Sequence, residues 1–287
     1  MKLFNILKKT YKCITCTKVC SSLFFFGQQV SYCSNGNPNK RRVFPTIYKD
    51  FKGNLDINDL YKRIKNDKKN LVKGILPENC INCPELKTEI EISLKPHLEY
   101  VQFSDYSLCN SKCIYCNSWK NTKVEGDKIS SISGGVDSYD IIPIIKKLIQ
   151  KKLLTPNTTI DFAGGEPTAY RKFEEALSLL IDYGIKNIII FSNAIKYSQA
   201  IENGIKRGII TLIVSVDAGT KETHKKVKGV ESYDSVWENI KKYAQNQICP
   251  NQVITKYVLV PDINTSENEI RTWIRRSKEA GIKELAL

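Results

Sequence analysis

The chain has 287 residues, 41% hydrophobic and 26% charged, enough for one substantial core with a small second domain. Lys and Arg total 44 against 30 Asp and Glu, a formal charge of +14, but the excess is mostly Lys dispersed through helical segments. No stretch joins Arg with aromatics as a nucleic-acid motif would, so nucleic acid is not an expected partner.

Ten cysteines in so long a chain, among apolar periodic segments, do not fit a secreted disulfide scaffold. The opening MKLFNILKKTYKC has too short and interrupted an apolar run for a signal peptide. VCSSLFFFG is too short and too polar-flanked to span a bilayer. The expectation is a reduced, cytoplasmic protein, not inserted in a membrane, whose cysteines bind metal.

In chain order, Cys13, Cys16, Cys20 and Cys33 come first, then Cys80 and Cys83, then Cys109, Cys113 and Cys116, with Cys249 apart. Residues 1-95 form a small cysteine-rich region with a strand over LFFFGQQVSY and a helix over INDLYKRIKNDKKNLVKG. Pro77 and Pro84 flank the turn that carries Cys80 and Cys83. From residue 98 to 287 the pattern alternates. Strands are predicted over EYVQFSD, TTIDFAG, KNIIIFSNA, IITLIVSVDAG, NQVITKYVLVP and IKELAL. Helices are predicted over SYDIIPIIKKLIQKKLL, YRKFEEALSLLIDYG, YSQAIENGIKRG, YDSVWENIKKYAQN and SENEIRTWIRRSKEAG. Five strand–helix units and the start of a sixth predict an α/β fold with a parallel sheet under helices.

Such alternation permits an open doubly wound sheet or a barrel. AGGEP carries no G-x-G-x-x-G, and the chemistry-bearing residues come just after successive strands, where a barrel places its active site. In CNSKCIYC, Cys109, Cys113 and Cys116 are spaced C-x3-C-x2-C, so three thiolates can hold three corners of an iron–sulfur cubane and leave one iron open. A zinc site would want a fourth ligand, and neither His97 nor His224 is spaced to supply it.

The cysteine motif and the strand–helix region around it, residues 98-287, resemble the radical S-adenosylmethionine (radical SAM) enzymes. The resemblance implies a partial TIM-like (β/α)6 barrel, truncated at the C-terminus because the chain stops on the strand KELAL. It implies a 4Fe-4S cluster on Cys109, Cys113 and Cys116, with SAM bound at the open iron and cleaved by one electron to a radical that abstracts a substrate hydrogen. Tyr115 matches the family's aromatic before the last cysteine and is expected beside the cluster. Gly164, Gly165, Glu166 and Pro167 match the segment that supports SAM's amino group; small residues admit a ligand and Glu166 can accept from an ammonium. Ser192 and Asn193 match a SAM-contacting pair, with Ala194 standing where glycine is common. Ser215 and Asp217 fall where the family binds SAM's ribose or methionine portion, and Asp217 has a second reading as a helix cap. Lys256 reads either as a contact to SAM's carboxylate or the substrate, or as an ordinary pore-facing lysine. His224, in THKKVKG, is expected to organise a loop or the substrate approach.

Cys20, Cys33, Cys80 and Cys83 are similar in arrangement to the auxiliary cluster domains called SPASM or twitch, although those usually come after the barrel. They imply a second 4Fe-4S cluster, with a structural zinc or redox thiols as rivals; Cys16 is an alternative to Cys20, and Cys13 with Cys16 a possible further site. Cys249 reads as a partly buried structural cysteine. The implied function is a radical SAM enzyme fed by an electron donor such as flavodoxin or ferredoxin and acting on a peptide or protein. The rivals are a carbohydrate or small-metabolite enzyme and a non-enzymatic iron–sulfur or zinc scaffold.

Overall fold

The computed structural model describes residues 10–16, 18–26, 29–33, 45–104, 108–116, 122–125, 128–131 and 139–287. The side chain of Cys13, and residues 27–28, 105 and 138 of the predicted elements, lie outside the described set, as does most of the opening segment. The chain divides into two compact units: Met1–Val101 with Pro143–Thr155, and Gln102–Ile142 with Pro156–Leu287.

In the first unit, β1 (Thr10–Thr15) pairs antiparallel with β5 (Lys87–Ser93). The run expected as one strand is two: β2 (Ser22–Phe26) and β3 (Gln29–Ser31) pair antiparallel with Phe26 opposite Gln29, and β4 (Thr46–Tyr48) joins β3. Helix α1 (Ile57–Val72) starts where Asp56 accepts the Asn58 and Asp59 N–H groups. It buries Leu60, Ile64, Lys68 and Leu71, a stripe at helical spacing. The buried Lys68 ammonium donates to the Lys95 carbonyl. Helix α2 (Ile141–Gln150) begins in the second unit, and its body in the first donates from Lys147 to the Leu55 carbonyl at 2.7 Å.

The second unit is built on parallel strands. The carbonyl of Phe103, in β6 (Tyr100–Phe103), accepts from Ala163 beyond β9 (Thr159–Phe162). From β9 the order runs through β10 (Asn187–Ser192), β11 (Ile210–Ser215) and β12 (Val253–Lys256) to β13 (Glu284–Ala286). Each neighbouring pair is parallel, with Ile188 level with both Ile160 and Ile210. A short antiparallel ladder, β7 (Thr122–Glu125) with β8 (Lys128–Ser131), was not foreseen. Helices α3 (Phe173–Tyr183), α4 (Gln199–Lys206), α6 (Tyr233–Ala244) and α7 (Glu267–Glu279) fall in the predicted segments. No helix among the described residues is long and apolar enough to cross a membrane.

One strand face is fully buried: Ile188, Ile190, Leu212, Val214, Val253 and Thr255. The alternate residues Ile189, Phe191, Ile213, Ser215, Ile254 and Lys256 are half-buried. Side chains alternate across a strand, so one face meets dry packing and the other a partly open space.

THKKVKG, for which no helix was predicted, belongs to helix α5 (Lys221–Lys228) and the Gly229 that ends it. It lacks an apolar stripe, which is why periodicity missed it; its ends make it. Thr220 caps the start, Gly229 ends it at φ +66°, Glu222 sits in the first turn and Lys225, Lys226 and Lys228 in the last. Buried Glu269 of α7 accepts from the Gly219 and Thr220 N–H groups and from the Thr220 and Thr223 hydroxyls, which ties α7 to the start of α5.

A Cβ on Gly219 would run into the backbone carbonyl of Glu269. Gly219→Ala is therefore expected to cost about 1–3 kcal/mol through backbone displacement, measured as a lower urea midpoint at an unchanged m-value.

Candidate active site

The cysteine loop, residues 108–116, comes after β6 and is held at two ends. The Glu166 N–H donates to the Leu108 carbonyl at 2.8 Å, and the Asn193 amide donates to Asn110 Oδ1 at 2.6 Å and Ser111 Oγ at 3.0 Å. Farther along, Lys112 N–H donates to the Lys228 carbonyl at 2.8 Å and Ile114 N–H to the Val227 carbonyl at 3.0 Å. The loop thus occupies acceptors that the C-terminus of α5 leaves unpaired. Cys109, Cys113 and Cys116 all line one cavity of about 130 Å³. Ser111 N–H donates to Cys109 Sγ at 3.4 Å. Burial pushes the Cys109 thiol up to about 12 and also raises Cys113, against the lowering influence of the Lys228 charge.

Tyr115, Gly165, Glu166, Ser192, Asn193 and Ser215 line the same cavity. Gly164 and Gly165 both take left-handed backbone, φ +78° and +57°, directly after β9. A Cβ on Gly164 would press on Ser104 at 3.2 Å, so the loop needs glycine for close packing as well as for its dihedral. Pro167 begins the single 3-10 turn Pro167–Ala169 and is buried.

Glu166 is buried, and its carboxylate is held by neighbours. Oε1 accepts from Thr168 N–H at 3.2 Å, Thr168 Oγ1 at 2.7 Å and Ser192 Oγ at 2.8 Å; Oε2 accepts from Asn193 N–H at 2.7 Å. Burial raises its pKa and these donors pull it back down. Ser192 Oγ also accepts from Ala194 N–H. Ala194, buried at φ +55°, adopts the left-handed conformation that explains why glycine would serve there. Ser192 and Asn193 therefore fasten the loops to one another as well as bordering the cavity.

Asp217 is fully buried at φ +59°. Its Oδ2 accepts from Lys228 Nζ at 2.8 Å and Tyr115 Oη at 2.5 Å, and its Oδ1 from Val258 N–H at 2.7 Å. Thr220, not Asp217, caps α5. Lys256 lies on the half-buried face with its ammonium 5.8 Å from the Phe191 ring centre, and Phe191 borders the cavity. His224 lies buried on α5 against Tyr233, with no hydrogen-bond partner at Nδ1 among the described residues.

Sequence reasoning did not single out three cavity residues: Ser111, Phe191 and Lys228. Ser111 was inside the cysteine motif and Phe191 was legible from strand alternation. Lys228 had a fainter signal, a lysine immediately before the helix-ending Gly229.

In the first unit, Cys20 is buried at φ +61°, and burial drives its thiol pKa upward, followed by the charge of Asp67. Cys80 and Cys16 lie close enough to act on it electrostatically. Cys80 ends the 3-10 turn Glu78–Cys80, and its carbonyl accepts from Cys83 N–H. Cys33 and Cys83 are half-buried, and Cys249, expected to be partly buried, is exposed because it lies in the connection between α6 and β12. Among the described residues, no group of three or more His, Cys, Asp and Glu gathers as ligands of one metal ion. A larger cavity of about 320 Å³, bordered by Tyr32, Arg63 and Asp67, lies in the first unit without any cysteine in its lining. Chemistry, not size, distinguishes the cavity of the second unit.

A family model described as the radical SAM superfamily matches residues 104–274, more than half of the chain. The GTP 3',8-cyclase of Vibrio parahaemolyticus is 24% identical over 178 residues, covering 61% of this chain and 50% of that protein. A probable GTP 3',8-cyclase of Saccharolobus islandicus is 23% identical over 193 residues, covering 66% and 56%. The chain spans about half the length of these curated relatives. Streptococcus suis SuiB bound to S-adenosylmethionine is similar with a TM-score of 0.50 at 15% identity, covering 79% of this chain and 45% of that one. At that identity the likeness concerns the fold alone.

Glu166→Gln turns one acceptor oxygen into a donor facing donors and is expected to cost about 1–3 kcal/mol in urea unfolding. Burial, then the nearby Lys228 charge, lowers the His224 pKa to about 4 from 6.5. The unfolded chain takes up that proton first as pH falls, so stability drops between pH 6.5 and 4, by about 2 kcal/mol at pH 5. His224→Leu should flatten this part of the urea-stability profile.

Proposed function

Because the chain belongs to the radical SAM superfamily, we propose that it is the core of an enzyme that reductively cleaves SAM and abstracts a hydrogen from its substrate. The supporting observation is one cavity bordered by Cys109, Cys113 and Cys116 together with Gly165, Glu166, Ser192, Asn193 and Ser215. The parallel strands of residues 98-287 are read as the wall of a partial (β/α)6 barrel, with the cavity at their carboxyl ends. Each thiolate of a cubane meets a different iron, and three cysteines on one short loop suit that demand. When bound, the 4Fe-4S cluster supplies the electron for SAM cleavage.

The chain's own groups have separate tasks. Glu166 Oε2 accepts one described hydrogen bond, from Asn193, and keeps a lone pair for SAM's ammonium. The left-handed Gly165 leaves the cavity wall without a Cβ. Ser192, Asn193 and Ser215 offer polar atoms to the rest of SAM, while Phe191 excludes water beside them. Gly164, Pro167, Asp217 and Lys256 act behind that lining, and Tyr115, on the cysteine loop itself, is part of it. The electron donor is of the flavodoxin or ferredoxin kind, and the compartment is the reducing cytoplasm.

Residues 1-95 are proposed to carry a second 4Fe-4S cluster on Cys20, Cys33, Cys80 and Cys83, with Cys16 as the alternative to Cys20, near which it lies. Such a region suits modification of a peptide or protein. The second reading, a nucleotide or other small metabolite, is favoured by the GTP 3',8-cyclases among the relatives.

Anaerobically reconstituted, reduced protein should convert SAM to 5'-deoxyadenosine, and Cys113→Ala should abolish the product. No product from protein with intact clusters would sink the enzyme reading. Two cubanes predict about eight irons per chain, falling by about four in a Cys80→Ala, Cys83→Ala double variant. About four irons with one zinc would favour a structural metal in the first unit instead.

A further inference from the structure

We propose that Lys228, Asp217 and Tyr115 form a clasp that fixes the Cys113–Cys116 half of the cysteine loop, which makes them positioning residues for the cluster. The inference rests on the proposed cluster at Cys109, Cys113 and Cys116.

The loop's two halves are anchored differently. Its first half meets Glu166 and Asn193, while its second half docks on the end of α5 through the Val227 and Lys228 carbonyls. The fit there is close: a Cβ on Gly229 would stand 2.8 Å from Lys112 Cβ and 2.9 Å from its carbonyl oxygen. Two backbone hydrogen bonds locate Lys112 and Ile114 but reach no cysteine side chain.

Tyr115 ties down the turn that carries two of the cysteines: Cys116 N–H closes on the Cys113 carbonyl at 3.0 Å around it, and its hydroxyl donates to Asp217 Oδ2 at 2.5 Å. Lys228 Nζ stands 6.0 Å from the Tyr115 ring centre and donates to the same Asp217 oxygen at 2.8 Å. Lys228 is 3% exposed and Asp217 not at all. Taking both charges out of water is costly, and their attraction offsets that cost only when the geometry is held. Here it is held from outside the pair: Val258 N–H donates to Asp217 Oδ1, and the Asn264 amide donates to the Asp217 carbonyl. Asp217 is thereby locked in left-handed backbone with its carboxylate aimed at the loop. The Lys228 ammonium also borders the cavity, so the clasp puts a positive charge beside the thiols as well as a tether behind them.

Tyr115→Phe removes only the tether's hydroxyl and keeps the ring, so the fold should survive. In the reduced, cluster-free chain, iodoacetamide labelling of Cys113 and Cys116 should accelerate about tenfold relative to Cys109, as for loss of a hydrogen bond to a charged acceptor. In the reconstituted chain, Lys228→Gln should lower the cluster's midpoint potential and alter its electron paramagnetic resonance signal, and Lys228→Arg should restore both, because net charge near the sulfurs sets the potential. A purely structural ion pair would lower the melting temperature without moving the labelling ratio. Wild-type ratios in Tyr115→Phe, or an equal rise at Cys109, would overturn the clasp. A wild-type chain that takes up no iron would count against the proposed function, and the labelling ratio would still decide the clasp.

Discussion

The site depends on a buried carboxylate. Glu166 collects the Thr168 N–H and hydroxyl, the Ser192 hydroxyl and the Asn193 N–H in one place. Burial raises the pKa of this carboxyl, and the donors act against that rise. With them it becomes a junction between the loop after β9 and the loop after β10. Its own N–H reaches Leu108, and Asn193 reaches Asn110 and Ser111, so the cysteine loop is set by the same junction. Three segments distant in sequence meet at Glu166: two through its carboxylate, and the cysteine loop through its backbone N–H and the Asn193 amide.

The second unit extends this logic through its helices. Glu269 of α7 gathers Gly219, Thr220 and Thr223 much as Glu166 gathers its donors, and so fixes where α5 starts. Where α5 starts decides where it ends, eight residues on, with Val227 and Lys228 against the cysteine loop. Packing on the outer helices is thereby communicated to the cavity through hydrogen-bonded ends. The strands contribute differently: their alternation sends Ile190 and Val214 into dry packing and leaves Phe191 and Ser215 at the cavity.

The strands and long helices of the second unit were legible in sequence because β-branched runs such as NIIIF and amphipathic stretches bounded by Gly184 state their period openly. The cysteine spacing and GGEP were legible as chemistry. Helix α5 was not, since its stability lies in Thr220, Gly229 and the ordering of its charges rather than in an apolar face. The split of LFFFGQQVSY into β2 and β3 was missed, although a glycine, Gly27, interrupts the run and is the residue type a two-residue hairpin favours. Lys228 escaped for a related reason. Among so many lysines, its burial is a property of Asp217, and Asp217 is 11 positions away.

Lys228 and Asp217 also explain how the cavity tolerates so much latent negative charge. Glu166 and Asp217 are both buried, and three thiols border the same space. Glu166 is met by neutral donors alone, whereas Asp217 has a full positive charge at 2.8 Å. The pairing stabilises both buried charges, and Lys228 remains the positive group at the edge of the cavity. Burial holds Cys109 and Cys113 towards their neutral forms in the chain alone. A metal reverses that balance, because a coordinating thiol gives up its proton outright.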